Sequence, residues 1–177
     1  LRFEPDVGGA VEGADWIISA VTADRSLQAA ESVLDHLVQG QLFIDINSVS
    51  PGRKQQSADL VTARDANYLD MAVMAPVHPR GHATPVLLAG KTADALRGDL
   101  ERLGFEFEVV GEEVGSATAI KMVRSMFVKG LEALTVETML AAATAGCFDR
   151  VIESLAATYP GLGWPDNVRY MFERTLH

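Results

Sequence analysis

Apolar positions along this chain fall into short β-rich runs that alternate with stretches of helical spacing. Trp16 to Val21, entered from Asp15, is an apolar run rich in β-branched residues. Leu27, Ala30, Val33, Leu34 and Leu37 then recur at helical spacing between Asp24 and Leu37, which predicts a strand followed by a helix. Nothing ahead of that first run reads as an element. Gln41 to Ile46 predicts a second buried strand. Ser50-Pro51 opens a polar helix, with a serine that can cap it and a proline at the first helical position. Asn67 to Met74 and Thr84 to Gly90 predict the third and fourth strands, Thr92 to Leu103 a helix, and Phe105 to Val110 a fifth strand.

Strands alternating with helices imply an α/β fold with a largely parallel, doubly wound sheet. The character changes near Gly111 to Gly115. From Ala117 to Ala145 there is no proline and one glycine, and alanine, methionine and leucine dominate. This predicts a helix of about 29 residues, about 43 Å long. It opens on a run of small and apolar residues that reads as the start of a buried helix, yet contains Lys121. Phe148 to Thr158 and Asn167 to Leu176 predict two further helices, separated by the turn-rich Pro160 to Asp166. The expected domains are therefore 1–114, α/β, and 115–177, all-α.

Of the 177 residues, 48% are hydrophobic and 22% charged, enough for a sizeable core. The net charge of -9 argues against nucleic acid or an anionic membrane surface as partner, because like charges repel at long range. No apolar run reaches the roughly 18 residues of a membrane span, and no signal segment opens the chain, so a cytoplasmic location is expected. The one cysteine, Cys147, cannot form an intrachain disulfide and reads as a small apolar filler in an alanine-rich helical stretch.

Ligands of open α/β sheets bind beyond the carboxyl ends of the strands, so three segments are expected to converge: Val21-Thr22-Ala23, Asn47-Ser48-Val49-Ser50 and Met74-Ala75-Pro76. Turn and capping chemistry is the alternative for Asn47 and Ser48. His78 and His82 are separated by Pro79 and Gly81, which break the helix that would aim both rings at one metal, so loop histidines and no metal site are expected. The glycines of Gly8 to Gly13 precede a strand and do not spell G-x-G-x-x-G, so they form no phosphate-cradling loop. Lys121 lies on a polar stripe with Ala117, Arg124, Ser125 and Val128, beside an apolar stripe of Ile120, Val123, Phe127, Leu131 and Leu134. Periodicity alone leaves a solvated face and a site equally open.

These motifs, in this order, resemble the β-hydroxyacid dehydrogenase family, which includes 6-phosphogluconate dehydrogenase. DINSVSP, Asp45 to Pro51, is similar to the family's strand-ending aspartate followed by Ser-Thr or Asn-Ser. DMAVMAP, Asp70 to Pro76, aligns with a segment whose Ser-Gly-Gly contacts the substrate acid, and places Met74, Ala75 and Pro76 there. IKMV, Ile120 to Val123, resembles the catalytic segment, with Ser125 where the family has asparagine.

The resemblance implies a partial Rossmann-type domain, a long interdomain helix and an all-α dimerising domain, truncated at both ends, with the glycine fingerprint upstream of Leu1. It implies an NAD- or NADP-dependent oxidoreductase acting on a small hydroxy acid, and a homodimer through the α-helical domain. Lys121 would be the general acid/base. Asn47, Ser48, Met74, Ala75, Arg124 and Ser125 would bind substrate, and Val21, Thr22, Asn47 and Ser48 the cofactor. A lysine suits this role when its pKa is lowered, here by burial against Ile120 and Val123 and by the cation of Arg124. The alternatives are a non-catalytic nucleotide-binding or dimerisation protein of the same fold, or an imine- or ketone-reducing relative whose acid pocket has become apolar.

Overall fold

The computed structural model describes residues 3–175, so Leu1, Leu176 and the end of the last predicted helix lie outside the described residues. The chain divides into two compact units, Leu1–Met122 and Val123–His177.

The first unit is built on a five-stranded sheet in the order β1-β2-β3-β4-β5. Its strands are β1 (Trp16–Ser19), β2 (Leu42–Asp45), β3 (Asn67–Val73), β4 (Val86–Ala89) and β5 (Phe107–Gly111). All neighbours are parallel except β3 and β4, which run antiparallel from Asp70↔Ala89 to Val73↔Val86. No helix joins those two strands; the link is a loop with a single 3-10 turn, Gly81–Ala83. A crossover long enough to restore parallel direction is missing, and the chain doubles back.

Helices cover both faces of the sheet. On one face α2 (Ser26–Val33) and α3 (Pro51–Thr62) pack Ala30, Val33, Ala58 and Val61 against Phe43 and Tyr68, whose rings stack at 5.8 Å. On the other, α4 (Arg97–Arg102) brings Leu100 onto Leu42, Ile44, Leu69, Met71 and Leu88. Each fully buried leucine of this layer is worth about 1.5–3 kcal/mol relative to an exposed one. β1 is an edge strand, and Ile18 on it is 56% exposed, so the first apolar run is only half covered.

Several expected elements are shorter than their apolar patterns, because leucines beyond a helix end still reach the core. Leu34 and Leu37 pack against the α2 face although α2 stops at Val33. The helix expected from Thr92 to Leu103 is a 3-10 turn, Asp94–Leu96, followed by α4. One element was not expected: a short helix, α1 (Val7–Val11), precedes β1, and Asp6 caps it by accepting from the Gly9 N–H. Its two glycines masked a helix that Asp6 caps and Val11 anchors in the core. Ser50 caps α3 as expected, accepting from the Arg53 N–H, with Pro51 in the first turn.

The 29-residue helix α5 (Ser116–Thr144) begins in the first unit. Its entry is fixed by Gly115, at φ 98°, where a Cβ would stand 3.1–3.3 Å from Cβ, O and Cα of Pro51. Only glycine lets the backbone enter α5 this close to the start of α3.

In the second unit, α6 (Phe148–Thr158) and α7 (Asp166–Thr175) follow α5. Cys147 is the residue before α6, half-buried and unpaired, in the turn and not inside a helix. Glu132 of α5 is buried and meets Arg174 of α7 at 3.5 Å and Lys129 at 3.3 Å. The apolar residues of α5 are not the buried face expected: Val123, Met126, Phe127 and Leu134 are exposed, Phe127 by 72%. Among the described residues, no helix is long and apolar enough to cross a membrane.

Gly115→Ala is expected to lower stability by about 1–3 kcal/mol, the cost of a side chain at a positive φ against a fixed backbone. Urea denaturation followed by circular dichroism measures it, and an unchanged midpoint would show that the α3–α5 junction yields freely.

Candidate functional site

β2 ends on Asp45 and β3 carries Asp70, and the two are partners across the parallel ladder. Both are buried, at 1% and 0% exposure. Like charges set side by side on a sheet repel, and here a cation lies between them. Lys54 of α3 is fully buried, with its ammonium 2.9 Å from Asp45 Oδ1 and 3.4 Å from Asp70 Oδ1. It also donates to the Asp45 backbone carbonyl at 2.6 Å. Lys54 shares the inner face of α3 with Ser57, Ala58 and Val61, at helical spacing.

Each carboxylate is then used again. Asp45 Oδ1 accepts from the Asn47 N–H at 2.8 Å, and Asp45 Oδ2 from the Tyr68 hydroxyl at 2.6 Å. Burial, reinforced by the Asp45 charge and hydrogen bond, pushes the Tyr68 phenol far up, so it stays a donor. Asp70 Oδ2 accepts from the N–H groups of Gly115 and Thr118 at 3.1 and 3.0 Å, and its Oδ1 from the Thr118 hydroxyl at 2.7 Å. A carboxylate from β3 thus caps the start of α5, where the helix dipole favours negative charge.

One turn into α5, Lys121 donates to Ser48 Oγ at 2.7 Å. Ser48 follows Asn47 in the turn after β2, beyond the carboxyl end of the strand. The lysine pKa is lowered, first by partial burial and then by the Lys54 charge, with Asp70 opposing. The cation acting on Lys121 is therefore Lys54, where sequence reasoning named Arg124.

Asn47 is buried and uses both ends of its amide inside the protein. Its Nδ2 donates to Ser19 Oγ at 2.9 Å, and its Oδ1 accepts from the Val21 N–H at 2.7 Å. It ties the end of β1 to the turn after β2. Val21 and Thr22 lie exposed just beyond β1, and Thr22 leads into a 3-10 turn, Ala23–Arg25. Met74 is half-buried and packs on the cluster of Ala72, Leu87, Ala89 and Ala117, while Ala75 and Pro76 are exposed in the loop after β3. Arg124 and Ser125 belong to the second unit, Arg124 exposed and Ser125 half-buried. His82 stacks edge-on to Phe105 at 5.8 Å, and among the described residues no group of three or more His, Cys, Asp or Glu could hold a metal.

Sequence reasoning did not pick out Lys54, Tyr68 or Thr118. A signal existed for the first. Asp45 and Asp70 each stand between apolar residues of a buried strand, and such acids require a buried cation; on the inner stripe of α3 the basic residue is Lys54.

Residues 2–103 match the family described as the NAD binding domain of 6-phosphogluconate dehydrogenase. A conserved hypothetical protein from Sinorhizobium meliloti has the same fold with a TM-score of 0.80 and 38% identity, over 96% of this chain and 56% of that one. A conserved protein of unknown function, described as structurally similar to 3-hydroxyacid dehydrogenases, aligns with a TM-score of 0.78 and 31% identity, over 94% of this chain and 62% of that one. An uncharacterized 28.5 kDa protein of Methanothermus fervidus is 31% identical over 89% of this chain and 60% of its own length. The chain thus spans less than two thirds of these relatives. An imine reductase from Myxococcus stipitatus, solved with NAD+, shares the fold with a TM-score of 0.72 at 24% identity, over 89% of this chain and 57% of that one. With more than half of its length matched, the chain belongs to the family of the NAD binding domain of 6-phosphogluconate dehydrogenase.

Proposed function

We propose that the protein is an NAD(P)-dependent oxidoreductase of the β-hydroxyacid dehydrogenase type, in which Lys121 is the general acid/base. The observation that carries this reading is the 2.7 Å hydrogen bond from Lys121 to Ser48, beyond the carboxyl end of a parallel strand, where open α/β sheets bind ligands. The lowered pKa of Lys121 supports it, because a lysine exchanges protons usefully only when its neutral form is accessible.

The residues present fit the nicotinamide end of the cofactor. Val21 and Thr22 are exposed beyond β1, and Asn47 holds this segment in place by accepting from the Val21 N–H. No G-x-G-x-x-G follows a strand within the 177 residues. When bound, NAD(P) supplies the hydride acceptor or donor. In oxidation, neutral Lys121 takes the hydroxyl proton of the substrate as its carbon gives up hydride. In reduction, the ammonium returns that proton to the carbonyl oxygen. Ser48, accepting from the lysine, holds Nζ in place and offers its own hydroxyl to the substrate oxygen. Asn47 serves both cofactor and substrate through the two loops it joins. On helical spacing from Lys121, Arg124 is assigned a substrate carboxylate and Ser125 a hydroxyl contact.

A second reading, reduction of an imine or ketone, is favoured by the loop after β3. Met74 packs into an apolar cluster and Ala75 is exposed, so neither side chain offers a donor to an acid. We also propose a homodimer through the α-helical unit, supported by the exposed stripe of Val123, Met126, Phe127 and Leu134 on α5.

The decisive experiment incubates the full-length protein with panels of hydroxy acids, ketones and imines, each with NAD(P)+ or NAD(P)H, and follows the reduced nicotinamide by absorbance. Turnover with a hydroxy acid supports the first reading, turnover confined to ketones or imines the second, and none in any panel a non-catalytic protein. With the active substrate, Lys121→Ala is expected to lower kcat by roughly 10²–10⁴-fold while cofactor affinity is kept; wild-type turnover would remove Lys121 from the mechanism.

The pH dependence has a fixed sign. Oxidation needs the neutral amine, so its kcat/KM rises with pH through one ionisation below the ordinary lysine value of 10.5, and reduction falls over the same window. A profile flat to that value would argue against the lysine. Sedimentation velocity of the full-length protein tests the dimer, and a monomer that survives into the micromolar range would reject it.

A further inference from the structure

We propose that Lys54 is a positioning residue for Lys121, joining through Asp45 and Asp70 the two segments whose meeting makes the Lys121–Ser48 pair. The inference rests on the reading of Lys121 as the acid/base, and concerns a residue two elements away from the reacting atoms.

The geometry is a chain of direct contacts. From Lys54, one arm runs through Asp45 Oδ1 at 2.9 Å to the Asn47 N–H at 2.8 Å, and so to the turn that carries Ser48. The other runs through Asp70 Oδ1 at 3.4 Å, whose second oxygen holds the Gly115 and Thr118 N–H groups, to the first turn of α5 and Lys121. The two aspartates are neighbours across the β2–β3 ladder and would repel without a cation between them. Lys54 is fully buried, and its hydrogen bond to the Asp45 backbone carbonyl at 2.6 Å fixes its ammonium beside both carboxylates.

The groups facing this cluster are Asp45 from β2, Tyr68 and Asp70 from β3, and Thr118 from α5, and Tyr68 and Thr118 enter as neutral hydrogen-bond donors. Charge therefore reaches Lys121 with two opposite signs. Lys54 favours its neutral form, and Asp70 favours its charged form.

The test uses the full-length protein and the rate at which acetic anhydride acylates each lysine near neutral pH, read by mass spectrometry, with exposed Lys91 and Lys129 as internal references. The rate reports the neutral fraction of Lys121 whether or not a substrate is known. Lys54→Met is expected to slow acylation of Lys121, by about tenfold for each pKa unit regained. Asp70→Asn, which keeps an oxygen for the start of α5, is expected to speed it. Opposite signs in the two variants, with Lys91 and Lys129 unmoved, support the proposal. An unchanged Lys121 in folded Lys54→Met, or slowing in both variants, overturns it. Should Lys54→Met fail to fold by circular dichroism, Asp70→Asn decides alone: faster acylation supports the proposal, an equal or slower rate overturns it. Opposite shifts in a protein that turns over no substrate uphold the positioning role and remove the catalytic one, so the two readings fail separately.

Discussion

Two carboxylates side by side inside a sheet set the terms for the first unit. Asp45 and Asp70 are paired across β2 and β3 and shielded from water. Left alone, each would carry a desolvation cost of several kcal/mol and repel the other. One buried ammonium, Lys54, answers both. Removing one partner of such a buried cluster typically costs about 3–5 kcal/mol, because the charges left behind find no water. An ion pair of this kind is a weak source of net stability compared with apolar residues of the same volume. Its value lies in direction: charged hydrogen bonds fix which strand end meets which helix.

Much of the local geometry follows from where those carboxylates spend their remaining lone pairs. Asp70 supplies the cap that the start of α5 needs, and so places the helix that bears Lys121. Asp45 holds the backbone of Asn47, and Asn47 in turn holds the backbone of Val21. Two strand-end segments and the start of α5 are thus tied to one charge cluster. Gly115 completes the arrangement by letting α5 start against Pro51 at a positive φ, where a side chain would be strained and tightly packed.

Asn47 shows how a residue picked for ligand contact can have a structural task in the fold. Its position after a strand marked it for ligand contact, and its amide is engaged on both sides by β1 and the turn beyond it. Met74 is similar, since the aligned loop suggested substrate while its side chain joins a small apolar cluster with Ala117. The antiparallel β4 was illegible for another reason. Periodicity reports that a strand is buried on both faces, and says nothing of the direction in which the chain returns to the sheet.

The sequence by itself determined the alternation of strands and helices, the cap at Ser50-Pro51, the length of α5 and the family, because these depend on neighbours within a few residues or on motifs read in order. It also assigned Lys121 and Ser48 to one site by resemblance, without their geometry. Only the tertiary structure brought these two within 2.7 Å, reversed β4, and revealed Lys54 as the counter-charge of two strands. The physical reason is range. Propensity and spacing act along the chain, whereas a buried charge is satisfied by whatever the fold carries to it, here a lysine of α3 between aspartates of β2 and β3.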